Sequence, residues 1–187
     1  LRFSGKDVPT IKSMDDEGVV LYCGSFSKVL SAGMRVGFIC GHEELVQKIV
    51  VVKQTNDVHT NLFFQMLCSR FIEKYGLDEH VRSINALYGE NCAFMLECMD
   101  KTFPKTVRYT RPEGGLFLWV TLPAGTDMKE FIKRTVAAKV AVVPGETFLP
   151  EPDMPCTSFR MNYSMPTKDQ IEKGVNILAG VIKDMGI

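Results

Sequence analysis

The run Gly24-Ser25-Phe26-Ser27-Lys28, with Gly33-Met34-Arg35-Val36-Gly37 close behind it, decides how the rest of this 187-residue chain is read. It is a glycine-punctuated connection between two apolar stretches, residues 19–23 and 35–40, that read as strands. Val19-Val20-Leu21-Tyr22-Cys23 is apolar throughout, the pattern of a strand buried on both faces. The connection after it therefore lies at the carboxyl end of an interior strand, where open α/β sheets take their ligands. A lysine in a Ser/Gly loop is ordinarily solvated, but this one has company. Ser25 and Ser27 supply hydroxyls, and the returning strand brings Arg35 back seven positions after Lys28. An amine that bonds a carbonyl carbon needs a fixed, partly dry place in which to lose its proton. A phosphate beside it needs hydroxyls, free backbone N–H groups and a guanidinium fork.

Outward from this point the pattern alternates. Residues 43–54 and 62–75 read as amphipathic helices, the second ended by Gly76. From Leu77 the apolar positions Val81, Ile84, Tyr88, Met95, Cys98 and Met99 keep a helical rhythm for about 24 residues, about 36 Å of helix. Residues 106–111 and 116–122 read as a hairpin turned at Pro112-Glu113-Gly114-Gly115. Asp127 with Glu130 caps the next helix, and residues 137–143 run out of it into a short strand that Pro144-Gly145 ends. Thr167 with Gln170 caps the last helix, whose Ile171, Val175, Leu178, Ile182 and Met185 form a core stripe. Between these helices, residues 156–164 alternate, with Ser158, Arg160, Asn162 and Ser164 on one face and Thr157, Phe159, Met161 and Tyr163 on the other. If the apolar face goes to the core, Arg160 is left aimed at a polar cleft.

Composition narrows the function classes. The 22 basic and 22 acidic residues cancel and are scattered, which excludes a nucleic-acid footprint and a polybasic membrane patch. No apolar run has membrane-spanning length, and Leu1-Arg2-Phe3-Ser4-Gly5 has no signal-peptide shape. The six cysteines sit in apolar segments without a C-x-x-C pair, which points to reduced, buried thiols and a cytoplasmic protein. His42, His59 and His80 lack ligand spacing, so no metal site is expected.

The lysine connection resembles that of the pyridoxal-phosphate aminotransferases of fold type I, classes I and II, nearest the branch of 2-aminoadipate, kynurenine and multisubstrate aminotransferases. Ser158-Phe159-Arg160-Met161-Asn162-Tyr163-Ser164 is similar to the small-domain strand of that family, Pro112 to Trp119 to its hairpin, Val143-Pro144-Gly145-Glu146-Thr147-Phe148 to its substrate-side loop, and Asp57-Val58-His59-Thr60-Asn61 to a segment that reaches a neighbouring subunit. The resemblance implies an α/β fold comprising the end of a large cofactor domain, residues 1–75, and an α+β small domain, residues 76–187, entered by a long interdomain helix. It implies Lys28 as the Schiff-base lysine and Ser25, Ser27 and Arg35 as phosphate ligands of pyridoxal 5'-phosphate. Arg160 would bind the substrate α-carboxylate, and Thr60 and Asn61 would reach the other subunit of a homodimer. Amino acids and 2-oxo acids would be the substrates. The family's ring-stacking aromatic and its acid at the pyridine nitrogen find no match here, so the chain reads as a carboxyl-terminal portion, inactive alone. The alternatives are the aminotransferase-like effector-binding domain of a MocR-type transcription regulator, or a small-domain interaction fragment with no activity.

Overall fold

The computed structural model describes residues 1–151 and 154–187. These fall into two compact units, one made of Leu1 and residues 6–84, the other of residues 2–5 and 85–187.

The first unit holds a two-stranded antiparallel ribbon, β1 (Tyr22–Ser25) and β2 (Gly37–Cys40), with Tyr22 opposite Cys40 and Ser25 opposite Gly37. A Cβ on Gly24 would collide with the Phe38 ring, so glycine is what lets that ring lie across β1, where it also meets Tyr22 and Phe26 at centroid distances of 5.8 and 5.6 Å. Helices α1 (Glu43–Asn56) and α2 (Leu62–Tyr75) follow as the apolar rhythm predicts. The Asn61 side chain accepts from the Phe64 amide at the start of α2, and Gly76, at φ 72°, ends it. Two expectations are corrected here. The strand begins at Tyr22 rather than Val19, and it is exposed: Val19 keeps 72% of its surface and Tyr22 40%. β1 pairs with β2 alone, so the burial that five apolar residues in a row call for is not supplied by the described residues. For the same reason Cys23 and Cys40 are exposed thiols, whereas Cys68, Cys92 and Cys98 are buried as expected.

Helix α3 (Leu77–Thr102) is continuous for 26 residues. Its residues from Asn85 onward belong to the second unit, whose sheet runs β3 (Arg108–Tyr109), β4 (Phe117–Thr121), β6 (Ser158–Asn162), β5 (Val143–Pro144), antiparallel throughout. Helices α4 (Met128–Ala137) and α5 (Lys168–Asp184) complete the unit. Alternation decides which side chains go inward: Leu118, Val120, Phe159 and Met161 are buried with Met95 and Met99 of α3, Phe131 of α4 and Ile171, Val175, Leu178 and Ile182 of α5. Thr167 and Gln170 cap α5 reciprocally, and the Asp127 carboxylate accepts from the Glu130 amide at the start of α4.

Residues 137–143 give much less strand than expected. α4 ends in a left-handed turn at Lys139 (φ 66°), with Val140 N–H donating to Thr135 C=O at 2.9 Å, and only Val143 and Pro144 pair with β6. Residues 2–5 lie on the hairpin turn: Phe3 and Ser4 amides donate to the Glu113 carbonyl, and Arg2 pairs with the Glu113 carboxylate at 2.6 Å. No helix among the described residues is long and apolar enough to cross a membrane.

Candidate functional site

The connection between β1 and β2 is folded by its own polar atoms. The Ser27 amide donates to Ser25 Oγ at 3.2 Å, a local turn that serine favours. Phe26 N–H donates to Val36 C=O at 3.0 Å and closes the base of the loop. The Val29 and Leu30 amides both donate to the Phe26 carbonyl, so the segment carrying Lys28 is a single helical turn. Arg35 adopts the left-handed region, φ 56° and ψ 38°, where side chains other than glycine, asparagine and aspartate are uncommon. That backbone turns its side chain back, and Nη1 donates to Ser27 Oγ at 3.3 Å and to the Ala32 carbonyl at 3.2 Å.

Ser25, Ser27 and Arg35 are thus brought together as a bonded series on the turn that holds Lys28. Two hydroxyls and a guanidinium within one turn are a donor set suited to a phosphate, whose oxygens accept only. Lys28 and Arg35 are exposed. The partly dry position the sequence calls for is not provided to Lys28 by the described residues of this unit.

The second constellation belongs to the other unit. Arg160 sits mid-strand in β6, opposite Trp119 of β4 and Val143 of β5. Its register puts it on the face away from the core, as the alternation predicts, and the residue is half-buried. Its guanidinium carbon lies 3.9 Å from the centroid of the Phe117 ring and 4.7 Å from that of Phe148, and Phe148 meets Trp119 edge to face at 5.6 Å. Sequence reasoning named Arg160 but missed both rings. They are far apart in the chain, and only the β4-β6-β5 register gathers them. Among the described residues Arg160 makes no ion pair. On the same face Ser158 Oγ and Thr121 Oγ1 are 2.9 Å apart, which satisfies the buried Ser158 hydroxyl.

Thr60 and Asn61 have local partners. Thr60 Oγ1 accepts from Lys53 Nζ at 3.1 Å, its carbonyl accepts from Gln65 Nε2 at 2.7 Å, and Asn61 caps α2. Just before them Val58 stands at φ 60°, a left-handed conformation that costs a β-branched residue roughly 1–2 kcal/mol.

The first unit thus carries a lysine turn flanked by a hydroxyl–guanidinium series, and the second an arginine set among aromatic rings on an antiparallel sheet. The chain belongs to the class I and II aminotransferases, whose family model matches residues 3–178. Aromatic-amino-acid aminotransferase 1 of Thermococcus litoralis is 39% identical over 184 residues, 98% of this chain but 44% of that protein. The crystal structure of a multiple substrate aminotransferase from Thermococcus profundus superposes with a TM-score of 0.93 at 40% identity, covering 99% of this chain and 46% of that one. The α-aminoadipate aminotransferase of Thermus thermophilus, solved as a complex with N-(5'-phosphopyridoxyl)-L-leucine, gives 0.93 at 35% identity, covering 99% and 48%. The chain therefore spans somewhat less than half the length of the relatives it matches, and its fold is that of part of a fold type I aminotransferase.

Proposed function

We propose that this chain is the lysine-bearing portion of a pyridoxal-phosphate-dependent aminotransferase, and that the whole protein moves an amino group from an amino acid to a 2-oxo acid. The observation that carries the reading is the bonded series Ser25, Ser27, Arg35 on the turn that holds Lys28. Pyridoxal 5'-phosphate, when bound, supplies an aldehyde for amines and an electron-withdrawing ring beside the substrate Cα. Its phosphate suits the two hydroxyls and the guanidinium fork. Lys28 Nζ would hold the group covalently; once the substrate amine takes its place on that carbon, the freed Nζ would take up the substrate Cα proton and deliver it to the carbon that Lys28 had held. Arg160 grips the α-carboxylate through two parallel N–H bonds, which fixes the direction of the Cα–H. The family match at 39% identity to a named enzyme favours this over a regulator's effector domain.

In the same reading residues 1–75 belong to the large cofactor domain and 76–187 to the small domain, entered through α3. Exposed Val51, Leu62, Phe63 and Met66 on α1 and α2 support a homodimer, with Thr60 and Asn61 directed to the partner's site. Six free cysteines support a reducing, cytoplasmic setting. The 187 residues alone leave Lys28 exposed and are expected to be catalytically idle.

The test is Lys28→Ala in the full-length protein. The near-visible absorbance of lysine-bound cofactor and its fixation by borohydride should both vanish. Their persistence in the variant would remove Lys28 from the role.

A further inference from the structure

The helical turn that carries Lys28 is held from outside by one side chain far away in sequence. The Val29 carbonyl, next to Lys28, receives no backbone N–H among the described residues, because the chain leaves the turn in extended conformation at Ser31 (φ −154°, ψ 131°). A carbonyl stranded at the end of a turn needs another donor. His80, in the first turn of α3 and within the same unit, supplies it: Nε2 lies 2.7 Å from Val29 O. A carbonyl oxygen can only accept, so the hydrogen is on Nε2. The ring is fixed behind that bond. It packs edge-on against Phe71 of α2 at 5.2 Å and 80°, and Phe71 in turn meets Tyr75 at 5.3 Å. The other half of the connection is held by α2, where the buried Cys68 thiol lies 3.5 Å from Met34 Sδ.

We propose that His80 is a positioning residue for Lys28. By closing the free carbonyl of the turn, it sets the Lys28 Cα relative to the Ser25–Ser27–Arg35 series, so that one group fixed by phosphate contacts is also within reach of the amine. The proposal rests on the role of Lys28 given above. What the turn needs is an N–H donor at position 80, rather than the imidazole itself.

Variants of the full-length protein separate these ideas. His80→Phe keeps a ring against Phe71 and removes the donor; His80→Gln restores an amide N–H; His80→Glu has the shape of glutamine and no donor at neutral pH. Two quantities are measured: the rate at which borohydride fixes pyridoxal 5'-phosphate to Lys28, and, in protein stripped of cofactor, deuterium exchange at the amides of Val29 and Leu30. His80→Phe and His80→Glu should slow fixation about 3- to 10-fold, the worth of one net hydrogen bond, and speed local exchange by a similar factor. His80→Gln should lie within about 2-fold of the parent in both. Should His80→Phe not fold, the Gln and Glu pair decides alone. Equal rates in Gln and Glu variants, or a parent-like His80→Phe, would overturn the assignment of His80. Fixation that survives Lys28→Ala would instead overturn the reading of Lys28, whatever position 80 does.

Discussion

Replacing Arg160 by alanine in the full-length protein should cost about 100-fold in kcat/KM for the amino acid, and the size of that loss can be worked from the site. A guanidinium fork on a carboxylate makes two charge-assisted hydrogen bonds, each worth roughly 1.5–3 kcal/mol. Arg160 is half-buried, so water entering in its place recovers part of this, leaving about 3 kcal/mol, or about two decades at 1.4 kcal/mol each. Arg160→Lys separates charge from shape. It keeps the positive charge but loses the fork and the guanidinium contacts with Phe117 and Phe148 at 3.9 and 4.7 Å, each worth roughly 0.5–1 kcal/mol at a partly exposed site. Lysine should therefore rescue only about 10-fold of the loss. The assay is steady-state kinetics with the amino acid varied, alongside absorbance of bound cofactor, which both variants should retain because the proposed phosphate donors are Ser25, Ser27 and Arg35. Loss of cofactor in Arg160→Ala with an unchanged amino-acid KM would refute the division of labour between the two arginines.

Arg35→Ala should behave in the opposite sense, releasing cofactor on gel filtration before amino-acid KM changes; variants of the two arginines that behave alike would contradict the assignment. Phe131→Ala empties a fully buried position in the second unit and should lower stability by roughly 3–5 kcal/mol in denaturant unfolding, with little effect expected on the first unit. The Asp15 carboxylate, which accepts from Lys12 Nζ at 2.7 Å and from the Val19 and Val20 amides, is held down to about 2, with the Lys12 hydrogen bond the largest cause. Because the folded value lies below the unfolded one, its stabilisation is complete above about pH 4 and disappears as pH falls through about 2. An Asp15 carboxyl titration by NMR with a midpoint near 4, or one that Lys12→Ala leaves unmoved, would contradict this.

Local signals in the sequence were the dependable ones. The Thr167–Gln170 capping box, the α5 stripe and the alternation of β6 each depend on residues a few positions apart, and each is present as read. The grouping of Ser25, Ser27 and Arg35 was legible for the same reason, since a single connection encodes it. What failed or was missed depends on distant partners. Residues 19–23 are apolar enough to be buried twice over, but burial is a property of neighbours, and among the described residues β1 has only β2. The left-handed turn at Lys139 lacked the glycine that ordinarily announces one. Phe148 and His80 reach their partners only through sheet register and helix placement, which no window of sequence displays.

The rings around Arg160 have a consequence for selectivity by geometry. Phe117 comes from the strand on one side of β6, and Phe148 from the turn that follows the strand on the other, so aromatic rings from both sides crowd one guanidinium. A flat anion with two oxygens can lie in the guanidinium plane and satisfy two donors at once. A tetrahedral sulfonate or phosphonate of equal or greater charge must hold at least one oxygen out of that plane, where carbon rings around the guanidinium offer it no donor. If Arg160 takes the carboxylate as proposed, such a setting would sort anions by planarity before it sorts them by charge.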